Sequence, residues 1–193
     1  MSEMMTVYFV TATGHVLGAA TRAQAAGAVA AVAAGKTASA EDVLVRGVAD
    51  DKTRKPPAFA SFLVPAPALS TLALAPHPRL PLDPLAFQVP AESHEVQPLG
   101  SLTISKVELK VNEVTVSVVA EKTAAGVWVL LLGGRLPAPR IAVAALAAGQ
   151  DSVTLPLETL APGDYHLLVL VERRRPFAQS ATLSPSSPGG NPE

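Results

Sequence analysis

The amino-acid sequence predicts a mainly β protein with an antiparallel β-sandwich in its C-terminal half. About seven short runs of β-forming residues, separated by turn residues, lie between residues 101 and 183. Ten of the 18 prolines lie between residues 56 and 98, where their spacing excludes a helix. We therefore divide the chain into a small N-terminal β-rich module, a proline-rich apolar extended arm, the sandwich and a flexible tail, at residues 1–51, 52–100, 101–183 and 184–193.

The N-terminal module begins with the pattern of a β-hairpin. The β-forming residues 7–10 are followed by turn residues at 13–15 and by a second extended segment from Val16. Further along, the Val-Leu-Val run at residues 43–45 predicts another strand.

The segment "AAVAAGKTAS" ends in a Gly-Lys-Thr that is typical of phosphate loops. Such a loop requires a glycine five residues before the Gly-Lys pair, and Ala30 occupies that position. We instead predict a short helix from Ala23 to Ala34 that ends at Gly35, with Lys36 as a basic residue beside its C-terminus. Nucleotide binding is not expected.

The proline-rich arm is apolar, which distinguishes it from a solvated linker. Each proline removes a backbone donor, so the arm is expected to be extended or turned and to contain no central strand. It nevertheless carries three of the five phenylalanines, Phe59, Phe62 and Phe87, together with leucines that include Leu72 and Leu74. Disordered segments are poor in such residues. The arm is expected to cover an apolar surface, either on its own chain or on a neighbouring subunit.

The seven predicted strands of the sandwich follow one another at short intervals. Between residues 165 and 171, alternate residues are apolar on both faces, which predicts a strand that is covered on both sides. The strands are the segments "LTISKVELKV", "EVTVSVVAE", "GVWVLLLGG", "RIAVAAL", "DSVTLPLETL", "DYHLLVLVE" and "FAQSATL".

The segment "LETLAPGDYHLLVLVE" resembles the loop that leads into a late strand of immunoglobulin-like sandwich modules. In those modules a Pro-Gly precedes a tyrosine whose hydroxyl closes the loop, so the resemblance implies such a tyrosine corner at Tyr165. The resemblance covers residues 155–172 and implies an immunoglobulin-like antiparallel β-sandwich. It carries no function, since such folds have many roles.

Composition excludes several classes of function and partner. The absence of cysteine removes disulfides, thiolate nucleophiles and cysteine metal sites. A formal net charge of −1, from 15 basic and 16 acidic residues, provides no field to attract nucleic acid. No apolar run is long enough to span a bilayer. Because Glu3 lies where a signal peptide carries basic residues, the expected location is the cytoplasm, free or within a particle.

The sequence contains no recognisable catalytic, cofactor or metal motif. The four histidines are His15, His77, His94 and His166, and none has a second histidine at ligand spacing. His94 and Glu95 are the least structural pair, but adjacent residues need a third orienting group to work as an acid and a base. No nucleophile elbow or Ser-x-x-Lys box is present. We expect no enzyme activity and no cofactor, although convergence of distant residues in three dimensions stays open.

The densest basic cluster is Arg173, Arg174 and Arg175 in "ERRRPF". Its favoured interpretation is an exposed strand end whose charge prevents edge pairing. The alternative is a clamp for a phosphate or carboxylate on a partner, because guanidinium groups bind such groups bidentately.

These observations favour a structural or adaptor subunit of a larger assembly, of which phage-tail-like and contractile injection particles offer examples by analogy. Its partners are expected to be other protein subunits or further copies of itself. The alternative is a β-sandwich that binds a sugar or peptide through its loops, although only Trp128, Tyr8 and Tyr165 are available to stack on a sugar. The residues predicted to contact a partner are Phe59, Phe62, Leu72, Leu74, Phe87, Arg173, Arg174 and Arg175.

Overall fold

The computed structural model describes residues 3–23, 37–39, 42–50 and 58–184, and this part of the chain is mainly β. Single 3₁₀ turns at Ala66–Ala68 and Pro84–Ala86 are its only helical elements. The strands are β1 (Glu3–Val10), β2 (Val16–Ala23), β3 (Thr37–Ala38), β4 (Val43–Asp50), β5 (Ala58–Val64), β6 (Leu69–Leu74), β7 (Phe87–Gln88), β8 (Gln97–Pro98), β9 (Ile104–Leu109), β10 (Glu113–Val118), β11 (Ala125–Gly133), β12 (Arg140–Leu146), β13 (Ser152–Pro156), β14 (Gly163–Val171) and β15 (Phe177–Leu183).

The strands form several antiparallel sheets. The largest has six strands in the order β12-β11-β14-β15-β4-β5, and a three-stranded sheet has the order β13-β10-β9. A four-stranded sheet has the order β2-β1-β6-β3, and β7 pairs with β8. Among the described strands, the one parallel contact is a bridge between Ala178 of β15 and Asp50 of β4. The six-stranded sheet therefore combines strands from both halves of the chain.

The first face of the six-stranded sheet packs against the three-stranded sheet. Val114 and Val116 of β10 lie in one buried cluster with Val129 of β11 and with Leu167 and Val169 of β14. Each of these side chains is almost fully removed from water. Burial of a side chain of this size contributes roughly 1.5–3 kcal/mol.

The second face of the six-stranded sheet packs against the four-stranded sheet β2-β1-β6-β3, which we call the N-terminal sheet. Leu168 and Leu170 of β14 lie in a second buried cluster with Val10, Leu69 and Phe62. Both faces of β14 are thus apolar and covered, as the sequence predicts. A third cluster on the far side of the N-terminal sheet joins β1 to the proline-rich segment; it contains Met5, Val7, Phe9, Val16, Leu72, Leu80, Phe87 and Val89.

The prediction that the proline-rich arm contains no central strand is wrong. Strand β6 is an inner strand, because it pairs with β1 on one side and with β3 on the other. Its residues 69–74 contain no proline; Pro67 precedes the strand and Pro76 follows it. The prolines here delimit a strand instead of interrupting one, so the ladder keeps its backbone donors.

The other strand predictions are largely confirmed. Strands β1 and β2 form the predicted hairpin, β4 begins at the predicted Val43, and each of the seven segments after residue 100 contains one strand. Ala23 ends β2. The rest of the helix predicted at Ala23–Ala34, its stop at Gly35 and Lys36, and residues 185–193 of the predicted tail lie outside the described residues.

Tyr165 closes the loop before β14 as expected of a tyrosine corner. Its hydroxyl donates a hydrogen bond of 2.6 Å to the carbonyl oxygen of Ala161. The ring packs on Gly134, whose φ is +59°, and a Cβ at that position would overlap the ring. The phenol is therefore held on both sides within the core.

Gly14 offers a stringent test of the contact between the hairpin turn and the proline-rich segment. Its φ is +74°, and a Cβ there would overlap the carbonyl oxygen of Val89, whose amide donates to the Gly14 carbonyl at 2.7 Å. We expect Gly14→Ala to lower the free energy of unfolding by more than about 2 kcal/mol, because strain and overlap add. Urea unfolding measures the change.

Gly149→Ala is the matched control for Gly14→Ala. Gly149 has a φ of +82°, and an added Cβ would meet nothing within 4 Å. Only backbone strain applies, so we expect Gly149→Ala to lower the free energy of unfolding by about 1 kcal/mol. Equal losses for the two variants would contradict the close approach at Gly14.

Candidate functional site

The described residues contain no group of three or more histidines and carboxylates placed to hold a metal ion. His94 lies exposed on the bend that follows Ser93, and the neighbouring Glu95 amide donates to the Ser93 hydroxyl at 3.0 Å. His77 meets Phe87 edge-on, with ring centroids 5.3 Å apart. His77 thus packs within the proline-rich segment, whereas His94 lies on the surface.

The apolar residues predicted to bind a partner lie largely in the chain's own interior. Phe62, Leu72 and Phe87 are buried, and Leu74 is half-buried against the third cluster. Phe59 lies in β5 opposite Ala49. The four side chains that can be described stabilise the fold, so their apolar surface is largely used within one chain.

The three arginines of the "ERRRPF" segment have different surroundings. Arg175 is exposed, whereas Arg173 is half-buried and forms ion pairs with Glu172 at 3.0 Å and Glu121 at 3.2 Å. Arg173 also has a φ of +64°, a value uncommon for a residue with a Cβ. The β14–β15 turn thus holds Arg173 in an intramolecular network.

The interpretation of the arginine cluster as an exposed strand end is wrong for Arg174. Its side chain is fully buried, and its Nη2 donates to the carbonyl oxygen of Val119 at 2.8 Å and lies 3.5 Å from Glu121. The nearby carboxylate offsets part of the desolvation of the charge. Its buried Nε and Nη1 find no hydrogen-bond partner within the described residues.

His15 joins the hairpin turn to the β14–β15 turn. It is fully buried, and its Nε2 lies 2.6 Å from the carbonyl oxygen of Arg174, so Nε2 carries the proton that it donates. In neutral His15, Nδ1 then accepts from the Thr13 hydroxyl at 3.0 Å. Burial lowers the pKa of His15 to about 4, although hydrogen bonding to the backbone of Arg174 and Thr13 acts in the opposite direction.

A cleft of about 270 Å³ lies beside this junction. Its lining includes Thr11 and Ser70, whose hydroxyl groups are 2.8 Å apart, and Glu172. The Glu172 carboxylate already accepts from the Gly126 amide at 3.2 Å and from Arg173. The cleft is large enough for a small polar molecule, but its one carboxylate is engaged within the chain.

Strand β12 forms an exposed apolar edge of the six-stranded sheet. Ile141 and Val143 are exposed to 38% and 59%, and they lie opposite Leu130 and Trp128 of β11. Strand β12 pairs with β11 alone, and its residues form no other backbone hydrogen bond within the described part of the chain. We call residues 140–146 the β12 edge. Within the part of the chain that the structure describes, the exposed large apolar side chains are Leu44, Leu63, Leu82, Leu102, Val111, Val119, Ile141 and Val143.

Sequence reasoning missed the β12 edge as a candidate surface. The alternation in "RIAVAAL" identifies a strand, and that prediction is confirmed. Whether the strand lies at the edge of its sheet depends on sheet order, which alternation does not encode. The available signal was the lack of any charge between Arg140 and Gln150.

No protein-family model matches the chain, and no curated protein is similar enough to indicate a family. Within the described residues, no helix has the length and apolar character that crossing a membrane requires.

The burial of His15 predicts a pH dependence of stability. The folded protein keeps His15 neutral down to about pH 4, whereas the unfolded chain binds a proton below about pH 6.5. As the pH falls from 6.5 to 4, this residue alone therefore lowers the free energy of unfolding by about 3 kcal/mol. Urea unfolding at a series of pH values measures the loss.

The variant His15→Gln separates the contribution of His15 to this pH dependence from the contribution of the carboxylates. The variant lacks the titrating ring, so its stability should fall less steeply than that of the parent between pH 6.5 and 4.5. Identical pH profiles for the two proteins would show that His15 is not buried in its neutral form.

Proposed function

We propose that the protein is a non-enzymatic structural or adaptor subunit of a larger protein assembly and that it docks through the β12 edge. The observation that carries the proposal is an edge strand whose outer side has no partner within the described residues and which has exposed Ile141 and Val143 and a single charged residue, Arg140. An exposed apolar edge is a template for pairing with another chain. A long-lived protein must cover such an edge or protect it.

Both edges of the three-stranded sheet are protected in ways that β12 is not. Strand β9 carries Lys106 and Glu108, which form an exposed ion pair. Strand β13 exposes Ser152 and Thr154 and ends at Pro156. Charges, polar side chains and proline all discourage edge pairing. The contrast supports a role for the β12 edge in partner binding.

The proline-rich segment offers a second contact surface. Leu82 is 84% exposed in a turn between Pro81 and Asp83, and the Leu82 amide donates to the Arg79 carbonyl at 3.2 Å. An exposed leucine on a proline-framed turn can enter an apolar pocket of a partner at a small entropic cost. The arm thus keeps a docking role through this turn, while Phe62 and Phe87 stabilise the fold.

The proposal also covers the type of sandwich, a polar contact residue and the kind of assembly. The tyrosine corner at Tyr165 supports an immunoglobulin-like sandwich for the C-terminal sheets. Arg175, as the exposed member of its cluster, remains available for a polar contact with a partner. The analogy with phage-tail-like and contractile injection particles stays a prediction.

The alternative function is the binding of a sugar or peptide. The cleft beside Glu172 favours it, because the hydroxyl groups of Thr11 and Ser70 could bind a polar ligand. Against a sugar site, Trp128 and Tyr165 are buried and cannot stack on a sugar ring. An extended peptide could instead add a strand at the β12 edge.

Val143→Lys tests the docking surface. A lysine at the centre of the β12 edge adds a charge that must be desolvated when another chain pairs there. We therefore expect the tagged variant to retain at least ten-fold less partner protein than the tagged parent retains. Quantitative mass spectrometry of affinity-purified material measures the loss.

Thr154→Lys is the matched control, because Thr154 is exposed on the edge strand β13 of the three-stranded sheet. It should retain the partner at the parental level. Retention of the partner by Val143→Lys, with an unchanged melting temperature, would remove the β12 edge from the proposal.

A further inference from the structure

We propose that the partner at the β12 edge is a second copy of this chain, which pairs antiparallel along β12 around a two-fold axis at Val143. This inference rests on the proposed function, because it names the occupant of the same edge. In the resulting dimer, the two six-stranded sheets continue into each other across the axis.

The register follows from the geometry of a symmetric pair. Residues directly opposite each other in an antiparallel pair lie on the same face of the sheet. When a two-fold axis relates the two strands, the residue numbers of every opposing pair add up to the same total. Centring the pair on Val143 matches every residue of the strand from Arg140 to Leu146. Centring it on Ala142 or Ala144 shortens the paired region by two residues at one end of each strand.

Side-chain sizes on the exposed face suit this register. Ile141 lies opposite Ala145 of the partner subunit, and the two Val143 side chains lie opposite each other. A large residue therefore meets a small one on both sides of a central pair of equal size. In β11, the adjoining residues on the same face are Leu130 and Trp128, so the apolar row continues into the core of each subunit.

The charge of the strand also suits self-pairing. Arg140 is its only ionisable residue, and it lies opposite Leu146 of the partner subunit in this register. The two Arg140 residues are then separated by six residues along the strand, or about 20 Å. That distance exceeds the screening length of about 8 Å in physiological salt. Each Arg140 is in addition neutralised within its own chain by Glu158, at 2.7 Å.

The absence of cysteine from the sequence allows the register to be measured directly. In the proposed dimer the two Cα atoms at position 143 are about 4.5–5.5 Å apart, a separation that a disulfide spans. Purified Val143→Cys should therefore form a disulfide-linked dimer in a glutathione redox buffer. The dimer fraction is read from non-reducing gels.

Ala145→Cys is the matched control, because this position is also exposed on β12. Its two copies are offset by four residues, or about 14 Å, which is beyond the reach of a disulfide. We expect at least a ten-fold larger dimer fraction for Val143→Cys at the same protein concentration. The double variant Ile141→Cys with Ala145→Cys should also cross-link, since these positions oppose each other in the dimer.

Cross-linking of Val143→Cys that exceeds Ala145→Cys supports the two-fold pair. Equal cross-linking of both single variants, or none in either, overturns it. Loss of partner in Val143→Lys together with no cross-linking in Val143→Cys would overturn self-pairing while leaving the docking surface in place. If Val143→Cys cross-links but the chain forms no assembly in the cell, the result would count against its proposed function as a subunit of a larger assembly.

Discussion

The fold depends on the burial of one strand on both of its faces. Leu167 and Val169 of β14 pack toward the three-stranded sheet, and Leu168 and Leu170 pack toward the N-terminal sheet. Two apolar clusters on opposite sides of one strand make the two halves of the chain parts of a single structure. The N-terminal strands, the proline-rich segment and the C-terminal sheets therefore depend on one another for stability.

The same arrangement explains where polar side chains become buried. The β14–β15 turn follows the doubly covered strand directly and meets the hairpin turn of the N-terminal sheet. Gln88 accepts there from the Arg173 amide at 3.2 Å, and His15 donates to the Arg174 carbonyl. These bonds satisfy backbone groups of the β14–β15 turn where the two halves of the chain meet. The arginine cluster thus serves the junction between the two halves, with Arg175 as its exposed member.

Local patterns in the sequence predicted the strands but not their neighbours. The seven C-terminal strands and the β1–β2 hairpin could be predicted because alternation and turn residues are local signals. The inner position of β6 could not, since it depends on pairing with the distant β1 and β3. Burial of Arg174 likewise requires Glu121 and the Val119 carbonyl, which only the folded chain brings close. The exposure of Val143 follows from sheet order, which no local pattern contains.

The central claim is that this chain works as one subunit of a protein assembly that covers the β12 edge. The most direct measurement is the size at which the untagged chain migrates when a native lysate is fractionated and followed with a specific antibody. The account predicts migration far above the 19.8 kDa of one chain, in a complex that persists on dilution. Migration of the whole population as a 19.8 kDa monomer would contradict it.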